Sequence, residues 1–425
     1  MFELRSVSRL RPPGRRVPPN GPGTDGEGRE LIRKRIDPVI FFVSLGLVAF
    51  GVVMVFSASH ILALDRYGDA FHFVKRHVLW AALGFACMLA ISQMDPQHLR
   101  KIAYPLLIAS VLALLMVFAP GIGKEAGGAR RWVMLGPFSF QPAEAAKVGL
   151  VIFLAHCLAL KGERLNHWLY GFLPPVGFAG IILALMLIQP DLGTATLTAA
   201  VVGVLLYLAG ARPFHLGVCA LATGFVLAGM VVFAPWRMKR IFAFWDPFAA
   251  AKGAGYQLIQ SLLAIARGGL PGLGLGEGKQ KLFYLPEPHT DFIYAVVGEE
   301  LGLIGALCVA AAFLFLLWRG FQIAARCEDF FSALLAAGVT FLVAAQGFLN
   351  MAVATGLLPT TGIPLPLISI GGSSLVFTLI SLGLLISVES SQHAARQPGP
   401  GSPLDAAAGW ISRARKPIFR RRARS

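Results

Sequence analysis

The stretch Val39-Ile40-Phe41-Phe42-Val43-Ser44-Leu45-Gly46-Leu47-Val48-Ala49-Phe50-Gly51-Val52-Val53-Met54-Val55-Phe56 decides the fold, because it holds no charged residue. It is close to the roughly 20 apolar residues an α-helix needs to cross a hydrocarbon core of about 30 Å. No small-residue cleavage site follows it, so it reads as a retained helix and not as a signal peptide. Similar runs recur along nearly the whole chain. Helices are expected near 38–58, 74–93, 102–119, 142–160, 172–189, 193–209, 214–234, 292–317, 330–352 and 365–388. The expected fold is an all-α membrane protein of about ten transmembrane helices, with a large extracytoplasmic loop between helices 7 and 8.

Composition agrees. Of 425 residues, 56% are hydrophobic and 14% charged, with a mean hydropathy of +0.67, whereas soluble domains are about 45–50% apolar and about 25% charged. No room remains for a separate soluble domain of normal size. The expected organisation is a disordered basic tail over 1–37, a transmembrane domain over 38–389 and a second basic tail over 390–425.

The net charge of +16 does not point to nucleic acid, because the basic residues sit in tails and loops. Segment 1–37 carries nine Lys/Arg and the segment after Glu389 carries eight. Basic clusters beside membrane spans mark the cytoplasmic side, and an even span count puts both termini there. Loops 94–101, 161–167, 210–213 and 318–329 are then also inside. The segment 235–290 faces outward although it holds Arg237, Lys239, Arg240, Lys252, Arg267, Lys279 and Lys281. A cationic outer loop breaks the usual bias and invites an anionic ligand, with attraction to lipid phosphates as the plainer alternative. The five cysteines show no CxxC pair, which implies no disulfide framework and no metal cluster. No internal repeat is visible, which disfavours the repeat-built transporter folds.

Five segments hold residues suited to chemistry. Around Pro288-His289-Thr290-Asp291-Phe292 and Gly298-Glu299-Glu300-Leu301-Gly302, carboxylates and a histidine open an apolar helix, and ionisable groups there mark functional sites by default. Asp291 or Thr290 is alternatively a helix cap. Glu299 lies about 12 Å along the helix from Asp291, too far to share a proton. Glu299 and Glu300 are therefore expected to pair with cations on neighbouring helices, which Gly298 and Gly302 would let approach. In Gln141-Pro142-Ala143-Glu144-Ala145-Ala146-Lys147, the two charges share a helix face and form a structural pair, or Lys147 holds a phosphate. Gly128-Ala129-Arg130-Arg131-Trp132 places two guanidinium groups and an indole at the outer interface, fit for phosphate or for plain anchoring. The glycine-rich run from Gly268 to Gln280 lacks P-loop spacing, since Leu273 and Gln280 replace the required glycine and Ser/Thr. It is read as a flexible outer loop whose amides and lysines line a groove. The segment ending in Gly371-Gly372-Ser373-Ser374 follows three prolines, and non-helical backbone at that depth must border protein or a wet cavity.

Together these motifs resemble the SEDS family of peptidoglycan glycosyltransferases over residues 37–390. They are Gly-Ala-Arg-Arg-Trp, Gln-Pro-x-Glu-x-x-Lys, Gln189-Pro190-Asp191-Leu192-Gly193-Thr194, His289-Thr290-Asp291-Phe292 with Gly298-Glu299-Glu300, and Leu358-Pro359-Thr360 through Ser374. The chain departs from the family pattern at Ala143, where serine is usual, and Ile370, where tyrosine is usual. The resemblance implies polymerisation of lipid II into glycan strands at the inner membrane, with inversion and release of undecaprenyl pyrophosphate. It makes Asp291 the catalytic base. The residues expected to contact substrate are Arg130, Arg131, Lys147, Arg267, Lys279, Lys281, His289, Ser373 and Ser374, with the outer-loop cations or a divalent metal neutralising the leaving pyrophosphate. The resemblance further implies Mg2+ or Mn2+ dependence, no nucleotide, and partnership with a class B penicillin-binding transpeptidase and other division-machinery membrane proteins. Leu358-Pro359-Thr360 and Gln280 to Glu287 are closer to the FtsW than to the RodA type. A lipid II flippase or transporter, and a pure division scaffold, are the alternatives from other classes.

Overall fold

The computed structural model describes residues 37–126, 129–136, 138–281, 285–286 and 288–396. The expected basic tails lie outside them, except that the last helix continues to Arg396, so 390–396 is helical. The elements are α1 (Pro38–Tyr67), α2 (His72–Ser92), α3 (Pro96–Lys101), α4 (Ala103–Met116), β1 (Gly123–Ala126), β2 (Ala129–Leu135), β3 (Phe138–Phe140), α5 (Pro142–Lys161), α6 (Leu173–Ile188), α7 (Leu192–Leu208), α8 (Pro213–Val232), α9 (Pro235–Trp245), α10 (Tyr256–Gly268), α11 (Ile293–Glu300), α12 (Gly302–Ala325), α13 (Phe330–Ala354) and α14 (Gly372–Arg396). Among the described residues, eight helices are long and apolar enough to cross a membrane, α6 counting together with the turn that leads into it. α4 and α7 are apolar but shorter.

Aspartates set where several helices begin. Asp37 accepts the Val39 amide at 2.8 Å and Asp95 the Gln97 amide at 3.0 Å, each ahead of a proline at the first helical position. Asp191 caps α7 through the Thr194 amide at 3.2 Å, and Asp329 caps α13 through the Ser332 amide at 3.0 Å. Each carboxylate satisfies an amide that has no intrahelical acceptor.

The two ends of the described chain meet. Arg319 of α12 bonds Asp37 Oδ2 at 3.1 Å and Glu389 Oε1 at 2.6 Å, clasping the start of α1 to the end of α14. The start of α1 and the end of α14 therefore lie at one end of the bundle. Its centre is built from α5, α13 and α14, whose apolar windows are 78%, 72% and 83% buried, against 11% for α8, which must face lipid.

The far end departs from plain spans in four ways. Residues expected as one helix over 292–317 form two, broken at Gly302, whose φ of +66° suits glycine. Tyr294 Oη donates to Ala306 O at 3.1 Å across twelve positions, a separation of about 18 Å in a straight helix, so α11 folds back against α12. The last helix begins at Gly372 and not near 365. The irregular segment before it packs on α1 at Gly51, where a Cβ would come within 2.8 Å of Ile368 Cα. Third, the expected outer loop contains α9 and α10, and the glycine-rich return after α10 is not a flexible groove wall. Leu273 and Gly274 amides bond Glu299 O and Glu300 O at 3.1 and 3.0 Å, and the Leu303 amide bonds Gly269 O at 2.9 Å. Last, a three-stranded antiparallel sheet in the order β1-β2-β3 fills the gap between α4 and α5.

Candidate functional site

Asp291 sits at this far end, half-buried, two residues before α11. The N-cap position of α11 is Phe292, whose side chain makes no cap hydrogen bond. The segment around Asp291 is held by its neighbours. Asn350 of α13 donates to Asp291 O at 2.8 Å, Ser369 donates to Thr290 O at 2.6 Å, and the Ile370 amide donates to His289 O at 3.0 Å. His289 itself is buried and packs on Phe73 with ring centroids 4.4 Å apart. The Asp291 carboxylate points toward Gly362, where a Cβ would lie 3.5 Å from Oδ2.

Beside it opens a cavity of ≈ 190 Å³ lined by Arg131, Trp236, Arg237, Arg240, Thr360 and Thr361, among others. Arg131 reaches it because side chains alternate along β2: Arg130 points out to solvent, while Arg131 turns onto the Gln189-Pro190-Asp191 corner. Its Nε donates to Gln189 O at 3.4 Å, Nη2 donates to Pro190 O, and Nη1 lies 3.7 Å from Asp191 Oδ1. Arg237 and Arg240 are three apart on α9 and so share a face, both over the Trp236 ring at 4.9 and 5.6 Å. Arg237 is only 6% exposed, with Nη1 donating to Met230 O at 2.9 Å and Nε without a partner among the described residues. Arg240 Nη1 reaches Thr360 O at 3.4 Å.

Desolvation lowers the pKa of Arg237 and Arg240, and the nearby Arg131 charge lowers both further, while the Asp291 carboxylate raises that of Arg240. Three guanidinium groups thus crowd one cavity, with the Asp191 carboxylate beside Arg131 and the Asp291 carboxylate near enough to act on Arg240. The arrangement favours an anion with several oxygens, since arginine presents paired donors matched to phosphate.

The other expected site residues lie elsewhere or are engaged. Lys281 is buried, and its ammonium donates to Glu300 Oε1 at 2.7 Å, Gly276 O at 2.7 Å and Ser57 Oγ at 3.0 Å. That accounts for all three of its protons, so it does not belong to the anion-facing set. Lys279 is exposed, its backbone amide bonding Glu299 Oε1 at 2.9 Å, and Arg267 is exposed at the end of α10. Arg130 pairs loosely with Glu125 at 3.8 Å.

Ser373 accepts the Gln141 amide at 3.1 Å, and Ser374 accepts Gln346 Nε2 at 3.1 Å; both hydroxyls are buried joints between elements. Lys147 pairs with Glu144 at 3.0 Å and donates to Gln346 Oε1 at 2.7 Å, fully inside the protein. Glu299 and Glu300 are likewise structural, although Glu299 bonds backbone amides and not a cation. No cluster of three or more His, Cys, Asp or Glu suited to a metal ion occurs among the described residues.

Sequence reasoning named Arg237 and Arg240 only within the general cationic loop, and passed over Asn350, Gln346 and Trp236. The available signal was Pro235-Trp236-Arg237-x-x-Arg240, a proline-started amphipathic helix in a loop, and two amides four apart in the apolar run of α13.

The family model described as cell cycle protein, covering FtsW, RodA and SpoVE, matches residues 38–394. A probable peptidoglycan glycosyltransferase FtsW of Geobacter metallireducens is 45% identical over 358 residues, covering 84% of this chain and 95% of the relative. Stage V sporulation protein E of Bacillus subtilis is 40% identical over 355 residues, covering 83% and 96%. Among solved structures, a chain from a peptidoglycan synthase complex that coordinates polymerization and crosslinking has a TM-score of 0.71 at 32% identity, covering 84% and 98%. The rod shape determining protein RodA of Thermus thermophilus has a TM-score of 0.63 at 30% identity, with the same coverage. Matched over nearly all of its described residues, the chain belongs to the FtsW/RodA/SpoVE family of multi-pass membrane proteins.

Proposed function

We propose that the protein is a peptidoglycan glycosyltransferase that polymerises lipid II at the outer face of the bacterial inner membrane, with both termini in the cytoplasm. One observation carries the reading: a carboxylate, Asp291, lies close enough to act on Arg240, which lines one cavity together with Arg131 and Arg237. That pairs a proton acceptor with an anion receptor. The clasp of Asp37, Arg319 and Glu389 supports the topology, because it joins the start of α1 to the end of α14, and the sequence beyond each is basic. With α4 and α7 counted as short spans, the crossings number ten.

In the proposed reaction, Asp291 takes the proton from the 4-hydroxyl of the acceptor sugar. That oxygen forms a bond to the anomeric carbon as the bond from that carbon to the diphosphate breaks, with inversion. The departing diphosphate carries away the electron pair, and the guanidinium groups stabilise its charge where it develops. A base so placed is typically worth about 10²- to 10⁴-fold. Among the described residues, no three or more His, Cys, Asp or Glu gather to hold a metal ion by themselves. Magnesium or manganese would enter mainly on the diphosphate oxygens and water, and no step above is routed through it.

The relatives named FtsW support a division role. The synthase complex among the structural neighbours supports a penicillin-binding transpeptidase of class B as partner. Purified protein, with and without that partner, is incubated with lipid II and examined for glycan chains. Asp291→Asn keeps the side-chain size and removes the base, so glycan synthesis should fall by at least about 10²-fold at matched protein levels. Near wild-type polymerisation by that variant would rule out Asp291 as the base.

A further inference from the structure

The proposed reaction needs the base and the leaving-group receptor on opposite sides of one carbon at a fixed separation. Asp291 belongs to the segment before α11, whereas Thr360 and Thr361 of the cavity wall belong to the irregular segment before α14. These two stretches are not continuous in sequence. Ser369 Oγ and the Ile370 amide already bond across, to Thr290 O and His289 O, and one side chain of the buried α13 grips both stretches: Asn350 Nδ2 donates to Asp291 O and to Ile363 O, both at 2.8 Å. Because both partners are carbonyls, the nitrogen and not the oxygen of the amide must face them.

Asn350 is 1% exposed and sits four residues after Gln346, hence on the same face of α13. Gln346 repeats the pattern one turn away, donating to Pro364 O at 3.3 Å and Ser374 Oγ at 3.1 Å while accepting from Lys147 at 2.7 Å. Lys147 is in turn fixed by Glu144. Asn350 is therefore mounted on the most buried part of the bundle, and both of its donors are spent on this junction. Its Oδ1 has no partner among the described residues. An apolar residue of similar size would avoid leaving that acceptor bare, so the amide is retained for what its nitrogen holds.

We infer that Asn350 is a positioning residue that fixes the distance between the base Asp291 and the diphosphate-binding wall at Thr360 to Ile363. This inference rests on the functional reading above and adds a residue to it. Asn350 touches neither substrate nor reacting atoms. It acts by holding two backbone strands in one frame, and loss of that frame is felt in turnover more than in substrate capture.

The test compares Asn350→Leu, Asn350→Asp and Asp291→Asn in lipid II polymerisation, with thermal unfolding of each purified variant as a folding control. Asn350→Leu removes both hydrogen bonds. Turnover per folded enzyme should fall about 10- to 100-fold, with KM for lipid II changed by less than about threefold. Asn350→Asp keeps the volume and carries the test alone if the leucine variant does not fold. Its carboxyl donates one hydrogen bond when protonated and none when ionised. Its turnover should therefore drop as pH rises from about 5 to 8, across the range of a desolvated carboxyl, where the wild-type rate does not drop.

A purely structural role would lower folded yield without moving the pH profile. Wild-type turnover in Asn350→Leu overturns the inference, as does a loss confined to KM or an unaltered pH profile in Asn350→Asp. Polymerisation by Asp291→Asn overturns the functional reading itself and this inference with it. Inactivity of Asp291→Asn alongside normal Asn350 variants overturns the inference alone.

Discussion

Two sets of cations lie near the far end of this bundle, and they are built in opposite ways. Lys281 and Lys147 are buried, each beside a carboxylate at 2.7 to 3.0 Å and each with further acceptors inside the protein. Arg131, Arg237 and Arg240 line one cavity, hold mainly to backbone carbonyls and repel one another. A buried charge with every proton satisfied locks elements together. Charges gathered without enough carboxylates to balance them await an anion from outside. Count of charge along the sequence does not separate the two classes; the supply of acceptors around each does.

Three substitutions sharpen that contrast. The largest effect is expected at Lys281, where Lys281→Met leaves Glu300, which is 0% exposed, without its cation. Stability should drop by about 3–5 kcal/mol, seen as a lower melting temperature in detergent, while the fraction that folds retains its turnover. The double variant Lys281→Met, Glu300→Gln should regain much of the loss. An unchanged melting temperature for the single variant would remove Lys281 from the structural class.

Next comes Arg237→Gln, which takes one guanidinium from the anion-facing set. Glycan synthesis should fall roughly 10²-fold in kcat/KM, the scale of one donor to a developing oxyanion, with the melting temperature nearly unmoved. The reverse pattern, loss of stability with intact activity, would place Arg237 with Lys281 and dissolve the distinction.

The smallest effect concerns Asp329, at the end of the bundle that holds the termini. Burial raises its pKa, but hydrogen bonds from the Ser332 hydroxyl and amide and from Gln97, together with the Arg100 charge, outweigh that and hold it below the usual 3.8. A depressed folded-state pKa contributes stability above the unfolded value and loses it as pH falls through the folded one. Melting temperature in acid should therefore decline less steeply for Asp329→Asn than for the native chain below about pH 4. Equal slopes would mean that Asp329 is not held in its charged form by the fold.

Much of this was legible in the sequence. Apolar runs located the spans, and the three-residue spacing of Glu144 and Lys147 foretold their pair, because a helix brings such residues together. Family resemblance singled out Asp291, and the structure brings its charge near Arg240 of the arginine cavity. What sequence could not supply was partner identity across long separations. Lys281 looked like an outer cation because Ser57, 224 positions away, and Glu300 are invisible to local reading. The break at Gly302 was hidden inside a continuous apolar pattern, and the late start of α14 within another. The strands of 4, 7 and 3 residues are too short to leave a period in the sequence. Asn350 gave no signal beyond being an amide in an apolar helix, since its meaning lies in two carbonyls contributed by other segments.

The clasp between Asp37, Arg319 and Glu389 has a bearing on how the protein is made. Its members come from the first, a late and the last of the spanning helices, so during synthesis Asp37 and then Arg319 emerge long before Glu389 exists. The second hydrogen-bond partner of Asn350, Ile363 O, arrives only with the segment after α13, again near the end. Assembly is thus governed by contacts distant in the chain, which are the slowest to form. A ribosome stalled before the final helix would leave an inserted but unlatched bundle, its charges unmet and its reaction centre unbuilt. Completion of the last span is then the event that converts a set of membrane helices into a working protein.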